Sequence, residues 1–207
     1  MKILFQGDSL TECNRDKSNP SDLGNGYVAV ASELIAEVFP EIEFTFINRG
    51  VSGDRTWNLL ERWQTDTIDV QPDVMTLMIG VNDTWRRYDM NDPTSVEDYE
   101  ANLRKLLDDV KANTDAKILM IEPFMVHEDE DLWREDFYLK INAFRRVAKK
   151  YADAYLPMDG LIAMMCVEEE PKHWSADGIH LIEAGIQRMG EYVAEALCPL
   201  VEACADV

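Results

Sequence analysis

The chain has 207 residues, with 20 Lys and Arg against 40 Asp and Glu, so its formal net charge is -20. A hydrophobic share of 46% excludes disorder in spite of that charge, since the globular norm is roughly 45–50%, and the length fits a single domain over residues 1–207. So acidic a surface repels phosphate backbones and anionic headgroups, which excludes nucleic-acid and membrane partners; with no signal-peptide core and no apolar run near ~18 residues, the expected compartment is the cytoplasm.

Short β-rich runs alternate with stretches of helical period. Lys2–Gln6 reads as the first strand, Gly26–Phe39 as a helix with one apolar face, and Glu43–Asn48 as the second strand. Ser52–Thr67 is predicted helical, Pro72 interrupts, and Asp73–Ile79 forms the third strand. Ser95–Asn113 has the pattern of a capped amphipathic helix that turns Leu103, Leu106, Leu107 and Val110 inward. Lys117–Glu122 is the fourth strand, Arg134–Ala152 a helix, Ala154–Met158 a fifth strand, and Ile182–Cys198 the closing helix. This alternation predicts an α/β fold, a three-layer α/β/α sandwich around a five-stranded parallel sheet, because parallel neighbours need crossover connections.

In an open parallel sheet the chemistry gathers beyond the carboxyl ends of the strands. That rule selects Gly7-Asp8-Ser9-Leu10-Thr11-Glu12 after the first strand, Asn48-Arg49-Gly50-Val51-Ser52-Gly53 after the second, and Gly80-Val81-Asn82-Asp83 after the third. Asp177-Gly178-Ile179-His180, just before the last helix, also crosses an end of the sheet. Each block has an ordinary explanation as a turn, a strand end or the start of a loop. Their convergence on one edge is what those explanations leave out.

The three histidines make the search for a base finite. His127 opens an acidic loop, His127-Glu128-Asp129-Glu130-Asp131, that accounts for it without catalysis, and His173 has no carboxylate at an orienting spacing. His180 has Asp177 three residues earlier, so one tight turn lets the carboxylate take the Nδ1 proton and leaves Nε2 free as a base; a mere capping turn is the competing reading. Ser9 supplies a nucleophile directly after a strand. Its backbone N–H, that of Gly53 and the side-chain amide of Asn82 offer three oxyanion donors. Asp8, Trp85 and Trp174 flank these loops as expected substrate contacts; the tryptophans either stack on a sugar ring or simply pack. The four cysteines form no C-x-x-C pair and read as free thiols, with Cys13 near the first loop most simply a packing residue.

At these four blocks the chain resembles the SGNH hydrolases, also called the GDSL esterase and lipase family, in motif, order and spacing from near the start to residue 180. The resemblance implies a flavodoxin-like sandwich, Ser9 as nucleophile, His180 as base, Asp177 as its orienter, and Ser9, Gly53 and Asn82 as oxyanion donors. The longer run from Gly80 to Asp89 and the stretch Leu23-Gly24-Asn25-Gly26-Tyr27-Val28 are similar to bacterial carbohydrate acetylesterases, including acetylxylan esterases; Leu181 stands where several relatives have Pro. The implied reaction is acyl transfer from a small-molecule or oligosaccharide ester, with no metal and no organic cofactor. Around Ser9 there is no Gly-x-Ser-x-Gly elbow of the α/β-hydrolases. Two readings from other classes compete: a metal-dependent phosphoesterase using Asp8, Asn82, Asp83, Asp177 and His180, and a non-catalytic carbohydrate-binding module. The sequence leaves assembly into a homo-oligomer open. Arg49, Arg55, Arg86 and Arg87 could reverse the negative field locally, whereas the net charge favours neutral esters.

Overall fold

The computed structural model describes residues 1–126 and 133–205. Five strands, β1 (Lys2–Gly7), β2 (Thr45–Asn48), β3 (Val74–Met78), β4 (Lys117–Ile121) and β5 (Ala154–Leu156), form one sheet in the order β2-β1-β3-β4-β5, every pair parallel. This is the order of the flavodoxin-like doubly wound fold, whose switch point lies between β1 and β3.

The two-residue period of the strands splits the core into two layers. Ile3, Phe5, Val74, Met78, Leu119 and Ile121 face one side, where they meet α2 (Tyr27–Val38), α7 (Met158–Glu168) and α8 (Glu183–Ala205). Leu4, Met75, Leu77, Ile118 and Met120 face the other, against α3 (Thr56–Trp63), α5 (Val96–Asn113) and α6 (Arg134–Tyr151). In α5, Leu103, Leu106, Leu107 and Val110 are fully buried, as the amphipathic pattern predicts, and Ser95 caps the helix by accepting from the Asp98 N–H. Burying a Leu-sized side chain of this kind contributes roughly 1.5–3 kcal/mol.

Several boundaries differ from the sequence reading. The predicted helix over Ser52–Thr67 is a loop up to Arg55, then α3, then a π-helical segment Gln64–Ile68. The last helix continues past Pro199 to Ala205, because the buried Leu200 and Val201 hold it on the sheet despite the lost backbone donor. Among the described residues three α-helices lie where the sequence reading placed none, α1 (Ser9–Glu12), α4 (Val81–Asp89) and α7, and a 3-10 turn covers Pro171–His173. Among the described residues no helix is long and apolar enough to cross a membrane.

Candidate active site

Ser9 leaves the end of β1 as the first residue of α1, where backbone N–H groups have no intrahelical partner. Asp8, the residue before it, accepts a hydrogen bond from the Leu10 N–H at 3.1 Å and thereby sets the turn that presents Ser9. Gly50 makes room for that turn: a Cβ there would lie 2.3 Å from the Glu12 nitrogen, so only glycine lets the segment after β2 approach α1 this closely.

His180 reaches Ser9 from the far end of the chain. Its Nε2 lies 2.9 Å from the Ser9 Oγ, and its Nδ1 lies 2.7 Å from Asp177 Oδ2. A carboxylate only accepts, so the proton between them sits on Nδ1 and Nε2 is left to accept from the serine. The two carboxylate oxygens divide the work, since Oδ1 accepts from the backbone N–H groups of Ile179 and His180 at 3.0 and 2.7 Å. Capping the turn and orienting the imidazole are therefore done by one residue at once. Burial by itself would raise the Asp177 carboxyl; the hydrogen bonds from His180, Ile179 and the His180 backbone outweigh it and hold the group below the usual carboxylate range.

The loop carrying His180 is anchored from three sides. Ile179 is buried among Val81, Met125, Phe137 and Ile141, and the Val126 N–H donates to the Gly178 carbonyl at 2.8 Å. Ser175, which the sequence reading missed, accepts from the Gly178 N–H at 3.0 Å and donates to the His180 carbonyl at 2.8 Å. A serine two residues before an aspartate in a turn is the signal that would have pointed to it.

Gly53 and Asn82 complete the edge. Gly53 has φ +83°, a left-handed conformation that L side chains rarely adopt. Asn82 belongs to the first turn of α4 rather than to a loop, and is almost fully buried. Its Nδ2 donates to the Asp54 carbonyl at 3.1 Å, while its Oδ1 accepts from Arg86 at 3.1 Å. Next to it Asp83 is fully buried and accepts from the Thr56 N–H and hydroxyl, at 3.1 and 2.8 Å. Burial pushes the Asp83 carboxyl up to about 6 against these hydrogen bonds, and pushes Asp8 up to about 7.

Two expectations require correction. Asp8 is 1% exposed and turned into the Leu10 turn, so it supports Ser9 from below instead of meeting substrate. Trp174 is buried, with its indole N–H donated to the Met165 carbonyl at 2.9 Å, and offers no free face to a sugar. Asp83, one of the residues of the competing metal reading, accepts from the Thr56 N–H and hydroxyl. Trp85 remains beside the site, half-buried, its ring centroid 6.3 Å from that of His180. His173 is exposed and packs edge-on against Trp174, and His127 with its acidic run lies outside the described residues. Next to Ser9 and His180 a cavity of about 40 Å³ is lined by Leu10, Cys13, Tyr27, Leu181, Ile186 and Met189. Cys13 is a free thiol at its rim.

Comparison with known proteins places the chain in a family. The model of the GDSL-like Lipase/Acylhydrolase family matches residues 5–188. An acetylxylan esterase of Geobacillus stearothermophilus is 34% identical over 160 residues, which are 73% of this chain and 71% of that protein. A crystal structure of the acetylxylan esterase Axe2 from the same organism superposes with a TM-score of 0.85 at 27% identity, covering 97% of this chain and 93% of the other. A candidate GDSL-like lipase from Parabacteroides merdae gives 0.88 at 31% identity, with 94% of each chain covered. With the family model spanning most of its length and its fold shared from end to end, the chain belongs to the GDSL-like lipase/acylhydrolase family and is a carboxylic ester hydrolase.

Proposed function

We propose that this esterase removes small acyl groups, acetyl above all, from neutral carbohydrates such as acetylated xylo-oligosaccharides, with Ser9, His180 and Asp177 as its catalytic triad. The observation that carries the reading is the pair of short contacts from Ser9 Oγ to His180 Nε2 and from His180 Nδ1 to Asp177 Oδ2. His180 takes the Ser9 proton as Oγ attacks the ester carbonyl. The Ser9 and Gly53 N–H groups and the Asn82 amide receive the oxyanion, and His180 then protonates the departing alcohol. Water repeats the sequence on the acyl-enzyme, and no step needs a metal or organic cofactor.

The substrate class follows from what surrounds the serine. The small, largely apolar cavity beside Ser9 and His180, lined by Leu10, Tyr27, Leu181 and Met189, is where a short acyl chain would sit. Trp85, beside His180, is the aromatic surface available to a sugar ring on the alcohol side. The Geobacillus stearothermophilus relative, an acetylxylan esterase, supports the substrate class, and its catalytic mutants, in which a serine and an aspartate are changed, support the triad reading.

Replacing the nucleophile is the direct test. Ser9→Ala is expected to lower kcat on acetylated xylo-oligosaccharides by on the order of 10⁶ with an unchanged melting temperature. A folded Ser9→Ala protein that keeps more than about a tenth of parental kcat would remove the serine mechanism, because no triad enzyme retains so much without its nucleophile.

A further inference from the structure

We propose that Arg86 is a positioning residue of the oxyanion site: it holds the Asn82 side-chain amide in the orientation that offers an N–H to the developing charge. The inference rests on the oxyanion role of Asn82 proposed above and deepens it, since it assigns the feature that makes that amide a fixed donor.

A primary amide can present either its oxygen or its nitrogen, and only the nitrogen is of use to an oxyanion. Two neighbours decide between them. The Arg86 Nη2 donates to Asn82 Oδ1 at 3.1 Å, and the Asp54 carbonyl accepts from Asn82 Nδ2 at 3.1 Å. A flipped amide would set its NH₂ against a guanidinium and its oxygen against a carbonyl, two repulsive contacts in a nearly dry site. The Asp54 carbonyl uses one of the two Nδ2 hydrogens and leaves the other for substrate.

The guanidinium is itself held. Residues four apart on a helix are neighbours, so Arg86 lies over Asn82 on α4, and it pairs with Asp89 one turn further on. Its Cζ lies 5.0 Å from the Trp85 ring centroid, which limits sideways movement. A Cβ on Gly53 would come 3.9 Å from Arg86 Nη2, so the cation also stands beside the second oxyanion donor. A charged donor on Oδ1 draws electron density from the amide and strengthens its remaining N–H, which adds polarisation to orientation.

Two simpler roles predict different kinetics. If Arg86 only pairs with Asp89 to support α4, its loss lowers the melting temperature and leaves kcat unchanged. If it only contacts the sugar, its loss raises KM for sugar esters and leaves a simple aryl acetate unaffected.

The experiment is a double-mutant cycle of Arg86→Met and Asn82→Ala on an aryl acetate and on an acetylated xylo-oligosaccharide, with melting temperatures for every variant. Arg86→Met is expected to lower kcat about 10-fold or more on both substrates with KM within about 2-fold, and Asn82→Ala by roughly 10²–10³. In the Asn82→Ala background the Arg86→Met change should cost less than about 3-fold, because its effect passes through the missing amide. Arg86→Lys, which keeps a cationic donor, is expected between Arg86→Met and the parent. Equal losses in both backgrounds, or a changed melting temperature with parental kcat, would overturn the Arg86 role alone. Near-parental kcat in Asn82→Ala would instead remove the oxyanion reading, and the Arg86 inference with it.

Discussion

The residues around Ser9 are held by groups that never reach substrate. Asp8 is the clearest of them: buried, bonded to the Leu10 N–H, and raised by burial to about 7 from an ordinary value of 3.8. Below pH ~4 both folded and unfolded chains keep this proton; between ~4 and ~7 only the unfolded chain releases it, so folding stability declines as pH rises and levels off above the folded pKa. Asp8→Asn keeps the acceptor for Leu10 and cannot ionise. Its stability relative to the parent should grow by on the order of 1 kcal/mol per pH unit across that window, read from denaturant unfolding at pH 5, 6, 7 and 8. A pH-independent difference would mean that Asp8 is ionised in the fold.

At the scale of elements, the site is where three strand ends and one terminal loop meet, and its precision comes from close backbone approaches. Gly50 against α1 is the tightest: an added methyl would meet the Glu12 nitrogen at 2.3 Å and the Thr11 carbonyl carbon at 2.7 Å, both backbone atoms unable to rotate away. Gly50→Ala is therefore expected to cost about 1–3 kcal/mol of stability and, by displacing α1, to lower kcat in the folded fraction as well. A variant with parental stability would show that the segment after β2 yields without moving α1.

These same elements explain how far the sequence could be read. Alternating β-rich and helical runs carried the sheet and its edge, so the segments of Ser9, Gly53 and Asn82 were picked out from where parallel strands end, and the Asp177–His180 turn from its place before the last helix and from the small number of histidines. The helix α7 was missed because Met158–Glu168 is apolar nearly all round and contains Gly160, so no single stripe marks it. The helix α4 was missed because its nine residues, seven of them polar, charged or aromatic after Val81 and Asn82, read as a loop; its helical form is what brings Arg86 over Asn82. Trp174 lay near the right motif in sequence, but its indole N–H found a buried carbonyl, a tertiary partner that sequence neighbours do not disclose.

For the molecule as a whole, the charge of -20 sets a negative field in which the arginines near the site sit. Arg55 pairs with Asp92, Arg86 with Asp89 and Arg87 with Asp136, which weakens the positive field that these three of the four candidate arginines would set up, Arg49 being the fourth. An uncharged ester then approaches without electrostatic cost, whereas a polyanionic one is repelled. The fold supplies a rigid edge, four separate segments meet on it, and the net effect is a serine poised against a histidine 171 positions away in sequence. Covalent labelling probes that juxtaposition. After treatment with a serine-directed fluorophosphonate, peptide mapping by mass spectrometry should find one adduct, on Ser9, whose yield equals the fraction of esterase activity lost. Complete loss of activity with Ser9 unmodified, or with the adduct on another residue, would contradict it.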